Sequence, residues 1–396
     1  MSDPTSAVPP PQRARRRLAL TALAVALLAG PVASHAGQPT LMAQAPHGTM
    51  SPGHGAHPLP RFINFETGAN VKALAMQGRN LWLGMPTGLI RYNVDSYDDH
   101  EVFTVAETRR GDRPGLLANG IYAIDVAPDN SLWISTYGGG LTRYDGKDWT
   151  TYTPEHGLGD RWAYDVEFDR DGRLWIATWK GLSVLENGRF HTYSEADGLV
   201  DKWVYDVEID RGGLIWCGTE GGVSVFDGTT FTNYTHKDGL GADIPEAERK
   251  PVMQSNAAHH QVEGKANQGY NPNYVLGIAI APDGGKWIGT WGAGLSHFDG
   301  KTWKTYTARD GLGGNFIHAL QFDAAGTLWA ATDGGVSFFK DGRWQTLTTE
   351  QGLQDDNVFS LLFEPDGTRW FGTWTGLSKM PPAPPLPEAL PYNPHG

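Results

Sequence analysis

Cysteine is nearly absent. Cys217 is the only one in 396 residues, so no disulfide can staple this chain. Long apolar runs are absent too. The longest, Leu18 to Leu28, falls well short of the roughly 20 residues a membrane-crossing helix needs, which excludes insertion by a helix. Clusters of Lys and Arg are missing after Arg17, and the formal charge is −12. Without residues 1–36, which carry four Arg and one Asp, it becomes −15. A chain this acidic repels phosphate backbones and anionic membranes, so nucleic acid is excluded as a partner. No Gly-rich phosphate loop precedes a helix, and no Ser-His-Asp or Cys-His set can be assigned. Cys217 lies in an apolar strand pattern, where thiols are inert.

Tryptophan, by contrast, is abundant, and all fifteen lie between Trp82 and Trp374. Seven sit in copies of one phrase, cleanest as Leu174-Trp175-Ile176-Ala177-Thr178, centred on Trp82, Trp133, Trp175, Trp216, Trp287, Trp329 and Trp370. Successive spacings are 51, 42, 41, 71, 42 and 41 residues. A period near 42 built from short strands and Gly turns predicts a β-propeller, one blade per repeat. The unit reads as strand A over Tyr164–Phe168, strand B over Leu174–Thr178, strand C over Gly181–Leu185 and strand D over Phe190–Tyr193. Asp-Gly or Asn-Gly hairpins recur at Asp171-Gly172 and Asn187-Gly188, and at Asp145-Gly146, Asp227-Gly228, Asp299-Gly300, Asp341-Gly342 and Asp366-Gly367. The last repeat runs into Pro381-Pro382 before its strand D. Its missing strand is predicted at the other end, where Arg61 to Gly68 matches the strand D segment beginning at Arg189. The expected fold is all-β: a single seven-bladed β-propeller closed by its N-terminal strand.

The Gly-Leu entry, the Asp-Gly-x-Leu-Trp-Ile core and the Gly-Leu-x-x-Tyr/Phe-Asp-Gly continuation resemble the two-component regulator propeller repeats over about residues 61–380. In that family such propellers form periplasmic sensor regions of hybrid histidine kinases, associated with polysaccharide breakdown products. The resemblance implies a freestanding exported sensor-like module, since neither a second propeller, a membrane span nor a kinase follows in this sequence. Export fits the N-terminus. Arg13 to Arg17 precede the apolar run, and Ser34-His35-Ala36 offers a cleavage site, so residues 1–36 are expected to be a cleaved signal peptide of a periplasmic or secreted protein. Arg15-Arg16 also admits a twin-arginine signal. Residues 37–60 read as a flexible His/Met/Pro-rich linker, 61–380 as the propeller with an insertion at 241–272 between blades four and five, and 381–396 as a Pro-rich tail.

Three groups of residues carry candidate chemistry. Directly after strand B, on the face bearing the B–C turns and D–A loops, come Tyr137, Trp179, Glu220, Trp291, Asp333 and Trp374. Trp162, Trp203, Tyr274 and Phe316 enter strand A on the same side. Rings around a concavity suit a glycan, another small molecule or a protein partner; the alternative is that they pack between blades. Strand A brings Asp125, Asp165, Glu167, Asp206 and Glu208 toward the axis, as oxygen ligands for Ca2+ or as acceptors for a neighbouring blade. His47, Met50, His54 and His57 offer copper-type ligands on the linker, and Met253 with His259-His260 repeats that chemistry in the insertion. The leading expectation is a monomeric binding module. A propeller enzyme (lyase, hydrolase or quinone-type oxidoreductase) at the axial mouth is the alternative, for which His318 is the one suitably placed His, and periplasmic copper handling is a third reading.

Overall fold

The computed structural model describes residues 43–44, 62–109, 114–250 and 270–382. The proposed signal peptide, the copper candidates His47, Met50, His54 and His57, and Met253, His259 and His260 lie outside the described residues.

Seven antiparallel sheets, each ordered A-B-C-D from the axis outward, make a seven-bladed all-β propeller. Blade three shows how the sequence builds one. Its strands are Ala163–Phe168, Leu174–Thr178, Gly181–Glu186 and Arg189–Tyr193. The C–D hairpin turns at Asn187 and Gly188 with φ of 50° and 75°, the left-handed pair that a two-residue turn requires. Strand B is buried along its whole length because both sheet faces are covered by neighbouring blades. That is why its Trp and Ile read as a continuous apolar run instead of alternating.

The blades share a repeated polar grammar in their outer strands. A strand C hydroxyl meets a strand D side chain, as in Ser183···Thr192 (2.8 Å), Ser296···Thr305 (2.8 Å) and Ser337···Thr346 (2.8 Å). The same hydroxyl accepts a backbone N–H from the loop entering its blade, as Ser183 Oγ does from Gly159 (3.2 Å).

The N-terminal strand Ile63–Glu66 completes blade seven by pairing with strand C, Gly376–Met380, in the register Asn64↔Ser378 and Phe65↔Leu377. It also completes the polar pattern. Ser378 Oγ donates to Asn64 Oδ1 (2.8 Å), and Asn64 Nδ2 donates to the Gly352 carbonyl (2.9 Å). Within the stretch read as linker, Ala43–Gln44 adds a short outer strand against Phe65 and Asn64.

Candidate functional site

The first part of the site is built by a backbone irregularity. In blades two to seven the A–B pairing slips by one residue at the same place, between Ile121 and Ala123, Ala163 and Asp165, Val204 and Asp206, Val275 and Gly277, Ile317 and Ala319, and Val358 and Ser360. A β-bulge leaves one residue unpaired and re-aims its side chain. The bulged residues are Tyr122, Tyr164, Tyr205, Leu276, His318 and Phe359. Lys72, just before the Ala73↔Gly84 pair, holds the same place in blade one.

Neighbouring members touch around the axis. Tyr122 meets Tyr164 with centroids 4.7 Å apart, and Tyr164 meets Tyr205 at 4.8 Å. His318 stacks on Phe359 at 4.8 Å, and Lys72 Nζ lies 3.6 Å from the centre of the Phe359 ring. Burial holds the His318 imidazole down to about 4, so it is neutral, with Nδ1 2.7 Å from the Val358 carbonyl oxygen. Burial likewise draws the Lys72 ammonium down to about 8.

The face rings rest on this inner ring. Tyr137 stacks on Tyr122 (5.4 Å) and meets Trp162 (3.9 Å); Trp162 stacks on Trp179 (4.6 Å), and Trp179 on Tyr164 (6.1 Å). The line continues through Tyr205 and Tyr274 (4.6 Å), Tyr274 and Trp291 (5.4 Å), and Trp291 and Phe316 (5.0 Å). An aromatic arc therefore spans blades two to six. Tyr137, Trp162, Trp179 and Trp291 are half-buried in it, packing across blade boundaries while part of each ring faces solvent. Trp374 stands apart, 40% exposed, with Phe359 as its ring neighbour at 5.7 Å.

Other residues expected on this face are drawn inward. Trp203 is buried, with Lys202 Nζ 4.8 Å over its ring. Glu220 is buried beneath the Tyr205 hydroxyl, which lies 3.4 Å from Oε2. Asp333 accepts from Lys250 Nζ at 2.8 Å, so the root of the insertion occupies it. That root is fixed by Gly241 N–H to Ser296 Oγ (2.9 Å), Ala242 N–H to the Ala293 carbonyl (2.9 Å), and the Arg309–Glu248 ion pair. Between it and blades five and six lies a cavity of about 410 Å3 lined by Ile244, Arg249, Asn315 and Phe316 among others.

Two of the strand A acids act as inter-blade latches. Asp165 Oδ2 accepts from Val207 N–H of blade four (3.1 Å), and Asp206 Oδ2 from Ile278 N–H of blade five (2.7 Å). Asp125 Oδ1 accepts from Val126 N–H (2.7 Å). Among the described residues no group of three or more His, Cys, Asp or Glu is arranged to hold a metal ion. Burial raises the carboxyls of this wall, with their neighbours' charges adding to it: Asp165 to about 7, Glu167 to about 9, and Asp206 and Glu208 well above the ordinary range. Cys217 is buried, and its thiol is pushed up for the same reason.

A group that holds its proton more tightly folded than unfolded stabilises the fold at low pH and loses that contribution as pH rises. Two groups work in the opposite sense: His318, whose lowered imidazole adds stability as pH rises from about 4 to 6.5, and Lys72, only above about 8. Thermal stability is therefore expected to fall between about pH 6.5 and pH 8, where the raised carboxyls act and His318 no longer opposes them. Glu167→Gln should flatten the decline, and a melting temperature constant over that range in the unmodified protein would refute the assignment.

Comparison with known proteins places this geometry. Residues 157–180 and 311–334 match the family model of the two component regulator propeller. These are two-component regulator propeller repeats. Each matched repeat runs from an entry loop through strand B to the B–C turn. It thus carries mouth residues: Trp162, Tyr164 and Trp179 in one, Phe316, His318 and Asp333 in the other. Among solved structures, the extracellular domain of a hybrid two component system from B. thetaiotaomicron is similar at 19% identity and a TM-score of 0.63. The alignment covers 82% of this chain but 41% of that one. Virginiamycin B lyase from Staphylococcus aureus, solved with quinupristin, matches at 11% identity and a TM-score of 0.56, over 80% of this chain and 98% of the lyase. The WD40 propeller domain of Doa1 matches at 13% identity and a TM-score of 0.54, over 81% and 95%. At these identities the shared property is the propeller fold. A search of curated proteins finds no match.

Proposed function

We propose that this protein is an exported, sensor-like binding module that recognises a hydroxyl-rich ligand of the glycan class at its axial mouth. The aromatic arc carries the reading. Half-exposed Tyr137, Trp162, Trp179 and Trp291 offer flat apolar faces, and exposed Trp374 stands across blade seven. Sugar rings stack on such faces, while the half-buried Tyr122 and Tyr137 phenols offer polar partners. A B–C turn has no folding requirement for Trp, since Gly or Asn serves it as well. The similarity to an extracellular sensor domain and the Arg-rich, apolar N-terminus support the exported setting.

The test separates contact from packing. In titrations with oligosaccharides selected on a glycan array, Trp374→Ala is expected to weaken binding by at least about 1 kcal/mol, as truncated aromatic anchors do. Its melting temperature should stay nearly unchanged, because Trp374 is 40% exposed. Trp179→Ala should lower both affinity and stability, since that ring also packs on Trp162 and Tyr164. Unaltered affinity in both variants would overturn the reading.

A further inference from the structure

We propose that Lys72 makes the mouth selective for ligands bearing an anionic group, a carboxylate or a sulfate, received against its ammonium. The inference rests on the glycan reading above and names the ligand's chemistry. Lys72 is the one cation in the ring of bulge positions, facing a site otherwise made of phenols, Leu276, Phe359 and neutral His318.

Its partner is the point. Lys180, Lys250 and Lys286 lie within 4 Å of Asp160, Asp333 and Asp210 respectively. Among the described residues, Lys72 Nζ has no such carboxylate and lies over the face of Phe359. The aromatic quadrupole holds an ammonium only weakly compared with an anion. The strand A positions next to it are Ala73 and Ala75, whereas the acids sit on blades two to four. Those acids are engaged with backbone N–H groups or held protonated by burial, so they do not compete for Lys72. A cation drawn out of water without a counter-charge is costly. A packing role at this place would be met by an apolar side chain, as Leu276 meets it in blade five. The lowered proton affinity of Lys72 agrees with a charge waiting for its partner, since an anion placed beside it would restore the ammonium.

The experiment compares tri-galacturonate with its methyl ester, which keeps the sugar faces and removes the charge, and adds a sulfated galacto-oligosaccharide beside its unsulfated form. Binding to the full chain is measured for the unmodified protein, Lys72→Met and Lys72→Arg. The unmodified protein should prefer at least one charged probe over its neutral counterpart by roughly tenfold. Lys72→Met should erase that preference, so that charged and neutral forms bind alike, and Lys72→Arg should retain part of it. The carboxylate and sulfate arms show which anion is received. Charged and neutral forms bound alike by the unmodified protein, or a preference surviving in Lys72→Met, would overturn the role of Lys72 and leave the glycan reading standing. Failure of all four probes to bind would overturn both. Melting temperatures of the variants control for folding, and Lys72→Met is expected to be at least as stable as the unmodified protein.

Discussion

Deleting residues 61–66 is expected to destabilise the protein far more than deleting residues 381–396. The short segment supplies strand D of blade seven, and its loss exposes the hydrogen-bonding edge of Gly376–Met380. Apolar contacts go with it. Phe65 is 1% exposed, with Tyr97 at 5.0 Å and Trp370 at 6.1 Å, so it joins blade seven to blade one. Phe62 sits 6.0 Å from Phe371. Deleting a buried Phe alone costs about 3–5 kcal/mol, and here two are lost along with the Asn64 bonds to Ser378 and Gly352. The other deletion begins where strand C has already ended, at Met380. Calorimetric melting of the two truncations decides the matter, and equal melting temperatures would refute closure by this strand.

Trp175→Ala should cost on the order of 3–5 kcal/mol, the range for truncating a large buried aromatic. The indole is 2% exposed, stacked on Tyr193 at 6.3 Å and against Phe226 of blade four at 6.1 Å. Its N–H donates to Asp169 Oδ2 (2.9 Å), which also accepts from Arg173 Nε (2.6 Å). Trp175→Phe keeps most of the packing and drops that hydrogen bond, so its smaller loss, about 1 kcal/mol, isolates the polar part. Trp329→Ala should behave similarly. There Asp323 holds both the indole N–H (3.0 Å) and Arg369 of blade seven (2.9 Å), a direct tie between blades. Denaturant unfolding measures both; a change below about 0.5 kcal/mol at either Trp would mean that strand B does not form the core.

What the sequence determined by itself is what local patterning controls. The strand B Trp positions, the Asp-Gly and Asn-Gly hairpins and the match of Arg61–Gly68 to a strand D segment are each written in a few consecutive residues. A short apolar phrase repeated at a fixed spacing and positive-φ turns carry those signals without help from distant chain. The placement of Tyr137, Trp179 and Trp374 just past strand B, and of Trp291 at its end, followed from the same register.

The inner ring was not legible in this way. Tyr122, Tyr164, Tyr205 and Phe359 precede the acid or small residue of strand A and look like any alternating position. A bulge exists only in the pairing with strand B, so nothing local announces which residue it turns toward the axis. Lys72 is a single lysine until six other blades place it in a ring. Asp165 and Asp206 look like metal ligands until the backbone N–H groups of Val207 and Ile278, 42 and 72 residues further on, arrive to claim them. Asp333 looks free until Lys250, 83 residues earlier in the chain, reaches it. In each case the deciding partner lies elsewhere in the chain, on the paired strand, a neighbouring blade or the insertion, and only folding brings it within the few ångströms over which a hydrogen bond or ion pair acts.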